Sequence, residues 1–167
     1  MLSYDEAKEI AKNIIIEVCA SVKEPIVLLE NKTIEKEYAW IFFYNSEIFI
    51  EAGDVLHALG GNSPIFVSKK DGRVSKYSTG YTVEKMIEIH EEENKYWSLI
   101  LSDDTYSDVA KLKYLKDIMQ LPQSEVSKMK SAQKLVIDQG SQNRLENLKK
   151  IFKQKGIETV LFYNNGI

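Results

Sequence analysis

Few residues in this chain are of the types that carry covalent or metal chemistry. There is one cysteine, Cys19, and there are two histidines, His57 and His90. A cysteine nucleophile needs an electropositive, partly exposed setting and a nearby base. Cys19 follows Val18 at the end of an apolar-periodic stretch, which reads as a small hydrophobe against a core. The two histidines lie far apart and form no recognisable metal-ligand spacing, so each reads first as an ordinary core or surface imidazole. Asp103-Asp104 follows a strand pattern, where paired carboxylates can hold a metal or move a proton. The pair also precedes a helical pattern, and helix capping is the simpler account. Gly60-Gly61-Asn62 matches neither GxGxxG nor the Walker phosphate loop, and a strand pattern follows it. It reads as a turn that lets Pro64 enter that strand. GxSxG, HExxH and CxxC do not occur. The expectation is a protein without catalytic residues, metal or cofactor. A small hydrolase built from scattered carboxylates and His57 stays open as an alternative.

Charge offers a second kind of candidate. Glu47, Glu51, Asp54, Glu84, Glu88, Glu91, Glu92 and Glu93 form either a solvated face or a docking surface for a basic protein. A docking surface of that kind speeds encounter through complementarity. Of these, Glu47, Glu51, Asp54, Glu88, Glu91, Glu92 and Glu93 are the candidate partner-binding residues. Lys149, Lys150, Lys153 and Lys155 raise another alternative, an adaptor binding an acidic protein or RNA. No aromatic residues interleave with them, so a solubilising face explains them more simply. Divided after Asn94, residues 1–94 carry 17 acidic and 10 basic side chains, net −7. Residues 95–167 carry 8 acidic and 12 basic ones, net +4, within a total of −3. Opposite signs on two halves predict mutual docking or two partner surfaces.

The elements that position these residues follow from periodicity. At 167 residues the chain is one domain or two small ones, with roughly 100–200 residues being usual for a domain. A single cysteine excludes an internal disulfide. No apolar run approaches the ~20 residues that span a bilayer. The N-terminus lacks the basic and apolar regions of a signal peptide. A pI near 5.5 argues against a nucleic-acid binder. These features predict a cytoplasmic protein that binds neither nucleic acid nor membrane.

Ser3 and Glu6 form a capping-box pattern ahead of a helix over residues 3–20. Residues 26–29 read as a short strand and residues 33–44 as the longest one. Residues 48–50 extend the structure or belong to a loop. A short helical turn through Leu59 follows Gly53-Asp54, and residues 64–69 form a strand. Asp71-Gly72 predicts a type I′ hairpin with a return strand over residues 74–78. Thr82 caps a helix that ends in EEEN, a plausible boundary between domains of residues 1–94 and 95–167. The second block reads as strand 96–101, helices 106–119 and 124–131, strand 134–138, helix 141–155 and strand 157–163. Val109, Leu112, Leu115, Ile118 and Met119 should face inward on one of its helices, and Leu145, Leu148, Ile151 and Phe152 on another. The fold class is α+β: an antiparallel α-β-β-β-β-α unit followed by a smaller β-α-α-β-α-β unit.

Three phrases in the first block resemble the immunity protein 35 family of bacterial polymorphic toxin systems. They are YAWIFFYNS at residues 38–46, ALGGNSPIFVSKKDG at 58–72 and YSTG at 77–80. The opening YDEAKEIA at 4–11 fits that family's first helix, and the likeness spans roughly residues 1–92. The doubled Gly60-Gly61 departs from its pattern. The resemblance implies a binding protein that protects a bacterial cell by stoichiometric neutralisation of a cognate toxin, with no catalytic residues to carry over. The matched positions read as fold determinants, with Trp40 and Phe42 on one side of a strand and Phe43 on the other. The second block resembles the C-terminal domain of the ribosomal stalk protein in its element order and in phrases such as LPQSEVSKMK and GIETVLF. It lacks that family's glycine-rich phrase, and only a fold is implied.

Overall fold

The computed structural model describes residues 1–102, 105, 107–131 and 136–164. The chain divides into two compact units, Met1–Met86 and Ile87–Ile167.

The first unit opens with helix α1, Tyr4–Val18, and its start is set by sequence chemistry. The Glu6 N–H donates to Ser3 Oγ at 3.3 Å, and the Ser3 N–H donates to the Glu6 carboxylate at 2.8 Å. Two otherwise orphaned donors are thereby satisfied. Ala7, Ala11 and Ile15 recur every fourth residue and bury one stripe of the helix. That stripe packs with Phe42, Tyr44, Ile65 and Val67 in a single core.

The strands of this unit are β1 Ile26–Leu28, β2 Ile34–Glu35, β3 Ala39–Phe42, β4 Tyr44–Ser46, β5 Ile65–Ser68 and β6 Val74–Ser75. They form two antiparallel sheets, β1-β4 and β2-β3-β5-β6. The long strand expected over residues 33–44 is therefore three strands in two sheets. Glu35-Lys36-Glu37 puts three charges in a row, which a half-buried strand does not accommodate. The chain turns there instead, with the Lys36 N–H donating to the Ala39 carbonyl at 2.9 Å. After Phe42 it leaves the larger sheet, and the Phe43 carbonyl accepts the Leu29 N–H at 2.8 Å. Trp40 and Phe42 do share a side, and both rings lie against Tyr4, at 5.2 and 5.8 Å between centroids.

The Asp71-Gly72 hairpin forms, but not as type I′. That turn needs positive φ at both central residues, and here only Gly72 has it, at 72°. The loop is longer, closed by a bond from the Ser68 N–H to the Arg73 carbonyl at 2.9 Å. The return strand stops at Ser75. Residues 48–50 lie in helix α2, Glu47–Ala52. Helix α3, Val83–Asn94, begins in the first unit and ends in the second, and EEEN is its last turn.

The second unit has the expected order: β7 Trp97–Leu101, α4 Val109–Met119, α5 Gln123–Ser131, β8 Val136–Gly140, α6 Gln142–Lys153 and β9 Thr159–Tyr163. Its sheet is antiparallel in the order β8-β7-β9. Leu99, Leu101, Leu115, Leu145, Phe152 and Ile157 form its core. Val109, Ile118 and Ile151 are exposed, contrary to expectation. Each helix buries a narrower stripe than its apolar residues would allow. Gly156, at φ 67°, closes α6 with the paired bonds of a Schellman motif, from the Gly156 N–H to Lys153 and from the Ile157 N–H to Phe152. Asp108 caps α4, accepting the N–H groups of Ala110 and Lys111 at 2.9 and 3.2 Å. Asp103 and Asp104, the expected caps, lie outside the described residues.

The division at Met86 alters the charge pattern. Met1–Met86 holds 13 acidic and 10 basic residues, net −3, and Ile87–Ile167 holds 12 of each. The contrast seen across residue 94 comes from four glutamates at the end of α3, which belong to the same unit as the lysines of α6.

Candidate functional site

The seven candidate acidic residues fall into both units and into two kinds of environment. Glu91 is 2 % exposed, and its Oε2 accepts the Gln142 N–H at 2.8 Å. Glu92 Oε2 accepts the Ser141 N–H at 2.8 Å and the Arg144 Nε–H at 3.1 Å. These two carboxylates sit on the first turn of α6, where the helix leaves N–H groups unpaired and its dipole favours negative charge. The Ser141 side chain makes no capping bond there. Burial alone pushes the Glu92 carboxyl up, but the bonds from Arg144 and the Ser141 backbone, with the Arg144 charge, bring it below its usual range. Arg144 also pairs with Asp138. Glu91 and Glu92 thus hold the second unit together. Glu88 is half-buried, and Glu93 and Glu84 are exposed on α3.

Glu47, Glu51 and Asp54 belong to the first unit, on the segment between β4 and β5. Ser46 starts α2 by accepting the Phe49 N–H at 3.2 Å. Gly53, left-handed at φ 70°, ends the helix, with its N–H bonded to Phe49 O at 3.0 Å. A 3-10 turn, Val55–His57, follows at once and packs against α2. Asp54 Oδ1 caps that turn through the Leu56 N–H at 3.0 Å.

Three contacts fix the base of the segment. Asn45 Oδ1 accepts the Leu59 N–H at 2.9 Å, and Asn62 Nδ2 donates to the Tyr44 carbonyl at 2.5 Å. His57 Nδ1 lies 2.6 Å from Glu24 Oε1, while its Nε2 lies 3.8 Å from Asp54 Oδ2. The Glu24 hydrogen bond, set against a smaller desolvation, raises the His57 pKa and favours the imidazolium.

Apolar side chains stand on this segment in water. Val55 is 74 % exposed and Leu56 88 %, with Ile50 at 44 % and Ile48 at 38 %. The sequence reading did not single them out. A signal was available: residues 37–68 contain no lysine or arginine and four carboxylates. Singly exposed hydrophobes are ordinary, but here four fall within nine residues, interspersed with Glu51 and Asp54, and Val55 and Leu56 are adjacent.

The remaining candidates are placed as follows. Cys19 is half-buried at the end of α1 against the first core, and burial raises its thiol pKa. His90 is buried on α3 beside the Tyr96 ring, and desolvation lowers its pKa to about 4. Gly60-Gly61-Asn62 is a turn. On the α6 side, Lys150, Lys153 and Lys155 are exposed. Among the described residues, no group of three or more His, Cys, Asp or Glu side chains could hold a metal ion, and no helix is long and apolar enough to cross a membrane.

The fold and this segment define a two-unit α+β protein with antiparallel sheets and an exposed stretch that carries both apolar and acidic side chains. The chain belongs to the immunity protein 35 family, whose family model matches residues 5–100. The match covers more than half of the chain, from α1 through most of β7. No curated protein and no solved structure matches the chain.

Proposed function

We propose that this protein neutralises one cognate bacterial toxin by forming a stoichiometric protein–protein complex in the cytoplasm, without performing chemistry on it. The family match over residues 5–100 carries the reading. The exposed apolar segment supports it, because a binding protein needs surface that its own core leaves uncovered. The acidic side chains on the same stretch favour a basic partner, whose encounter they would accelerate.

The test is co-expression with the toxin encoded beside this gene. Growth should be restored, and the purified pair should run as a 1:1 complex. Toxicity unchanged by the intact chain overturns the reading. So does protection that leaves the toxin unbound and chemically altered.

A further inference from the structure

We infer that the segment formed by α2 and the Val55–His57 turn is the surface that docks the toxin, and that the toxin meets it with a basic rim around an apolar depression. This inference rests on the function proposed above and adds the place and chemistry of the contact.

Three observations carry it. The first is exposure: the neighbouring side chains Val55 and Leu56, which open the turn, stand 74 % and 88 % exposed. Apolar side chains buried at the centre of an interface supply most of its hold. The second is charge. Glu47, Glu51 and Asp54 lie on the same segment, no lysine or arginine occurs between Lys36 and Lys69, and the His57 imidazolium is paired with Glu24. A partner of the same sign would be repelled, and an acidic one could not desolvate against these carboxylates. The third is rigidity. The Ser46 and Asp54 caps, the Asn45 and Asn62 bonds and the Glu24–His57 pair hold the segment in one shape. A surface already ordered loses little conformational freedom on binding.

The sheet face of the second unit that bears Val160 and Phe162 is also exposed. It serves as the comparison surface.

The experiment uses the full chain and the purified toxin encoded beside its gene. Leu56→Ala, the pair Val55→Ala with Leu56→Ala, and Glu51→Lys are compared with Phe162→Ala and Lys153→Glu. All five side chains are exposed, and thermal melts establish that each variant folds. We expect the Val55/Leu56 pair to raise Kd by at least ~10-fold and to abolish growth rescue at low expression. Glu51→Lys should slow association and flatten its dependence on salt. Phe162→Ala and Lys153→Glu should bind as the unaltered chain does.

If the unaltered chain binds and rescues while the Val55/Leu56 pair does so equally well, the docking surface lies elsewhere and the proposed function stands. Weakening by Phe162→Ala alone relocates the surface and overturns the inference. Failure of the unaltered chain to bind overturns the function and the inference together. Binding that is independent of salt and of Glu51→Lys overturns the basic-partner part.

Discussion

The Glu91 carboxylate accepts the backbone N–H of Gln142 at 2.8 Å and so ties the end of α3 to the first turn of α6. A buried carboxylate on an unpaired helix N–H is structural, not a contact waiting for a partner. Glu91→Ala takes that acceptor away from the Gln142 N–H. The expected loss is about 1–3 kcal/mol of stability. Urea unfolding followed by circular dichroism measures it. An unchanged midpoint would remove the capping role, and toxin binding by the folded variant should be unaffected.

Gly140 is the backbone position that this cluster depends on. A Cβ there would lie 2.3 Å from Glu92 Oε2 and 2.5 Å from an Arg144 guanidinium nitrogen. Gly140→Ala must displace both and so disturb the Glu92–Arg144 pair, with an expected cost of about 1–3 kcal/mol. Gly60 has open space around it and no positive φ, so Gly60→Ala should be close to neutral. Parallel thermal melts of the two variants make the comparison, and equal melting temperatures would contradict it.

The two histidines should respond to pH in opposite directions. His90 has its pKa lowered to about 4 by burial, against an unfolded value near 6.5. The unfolded chain then binds the proton first, so stability is full above ~6.5 and falls as the pH drops toward ~4. The full shift corresponds to about 3 kcal/mol. His90→Phe should flatten that part of the profile in denaturant melts between pH 7 and pH 4.

His57 has its pKa raised, chiefly by the Glu24 hydrogen bond. Its contribution is therefore fully present below ~6.5 and is lost as the pH rises through the raised value. NMR titration should show His57 titrating above the ordinary imidazole range and returning toward it in Glu24→Gln.

Lys69 is a buried cation in the turn that follows β5. Its Nζ sits 4.3 Å from the Trp40 ring centroid and 2.7 Å from Glu35 Oε1. Lys69→Ala uncovers the indole and should cost about 1–2 kcal/mol. Lys69→Met keeps the aliphatic cover and should lose less. Tryptophan emission should shift to the red in the alanine variant, and identical spectra would argue against the packing.

Patterns between near neighbours in the chain could be read directly. Ser3 with Glu6 announced the start of α1, Gly156 announced the end of α6, and the order of elements in the second unit came out as expected. The phrases at residues 38–46 and 58–72 were enough to point to the immunity protein 35 family. The two helix ends reside in bonds that span three to five residues, and local geometry sets them. Other features were hidden because they depend on partners far along the chain. The aromatic run at Tyr38–Tyr44 reads as one strand until β1 and β5 claim different parts of it. Glu91 and Glu92 read as a solvated acidic run until α6, some 50 residues on, brings its unpaired N–H groups to them. Val55 and Leu56 read as ordinary apolar residues until the core closes without them. Hydrophobic burial is allocated by long-range packing, so which apolar residues stay in water emerges only when the whole unit has folded.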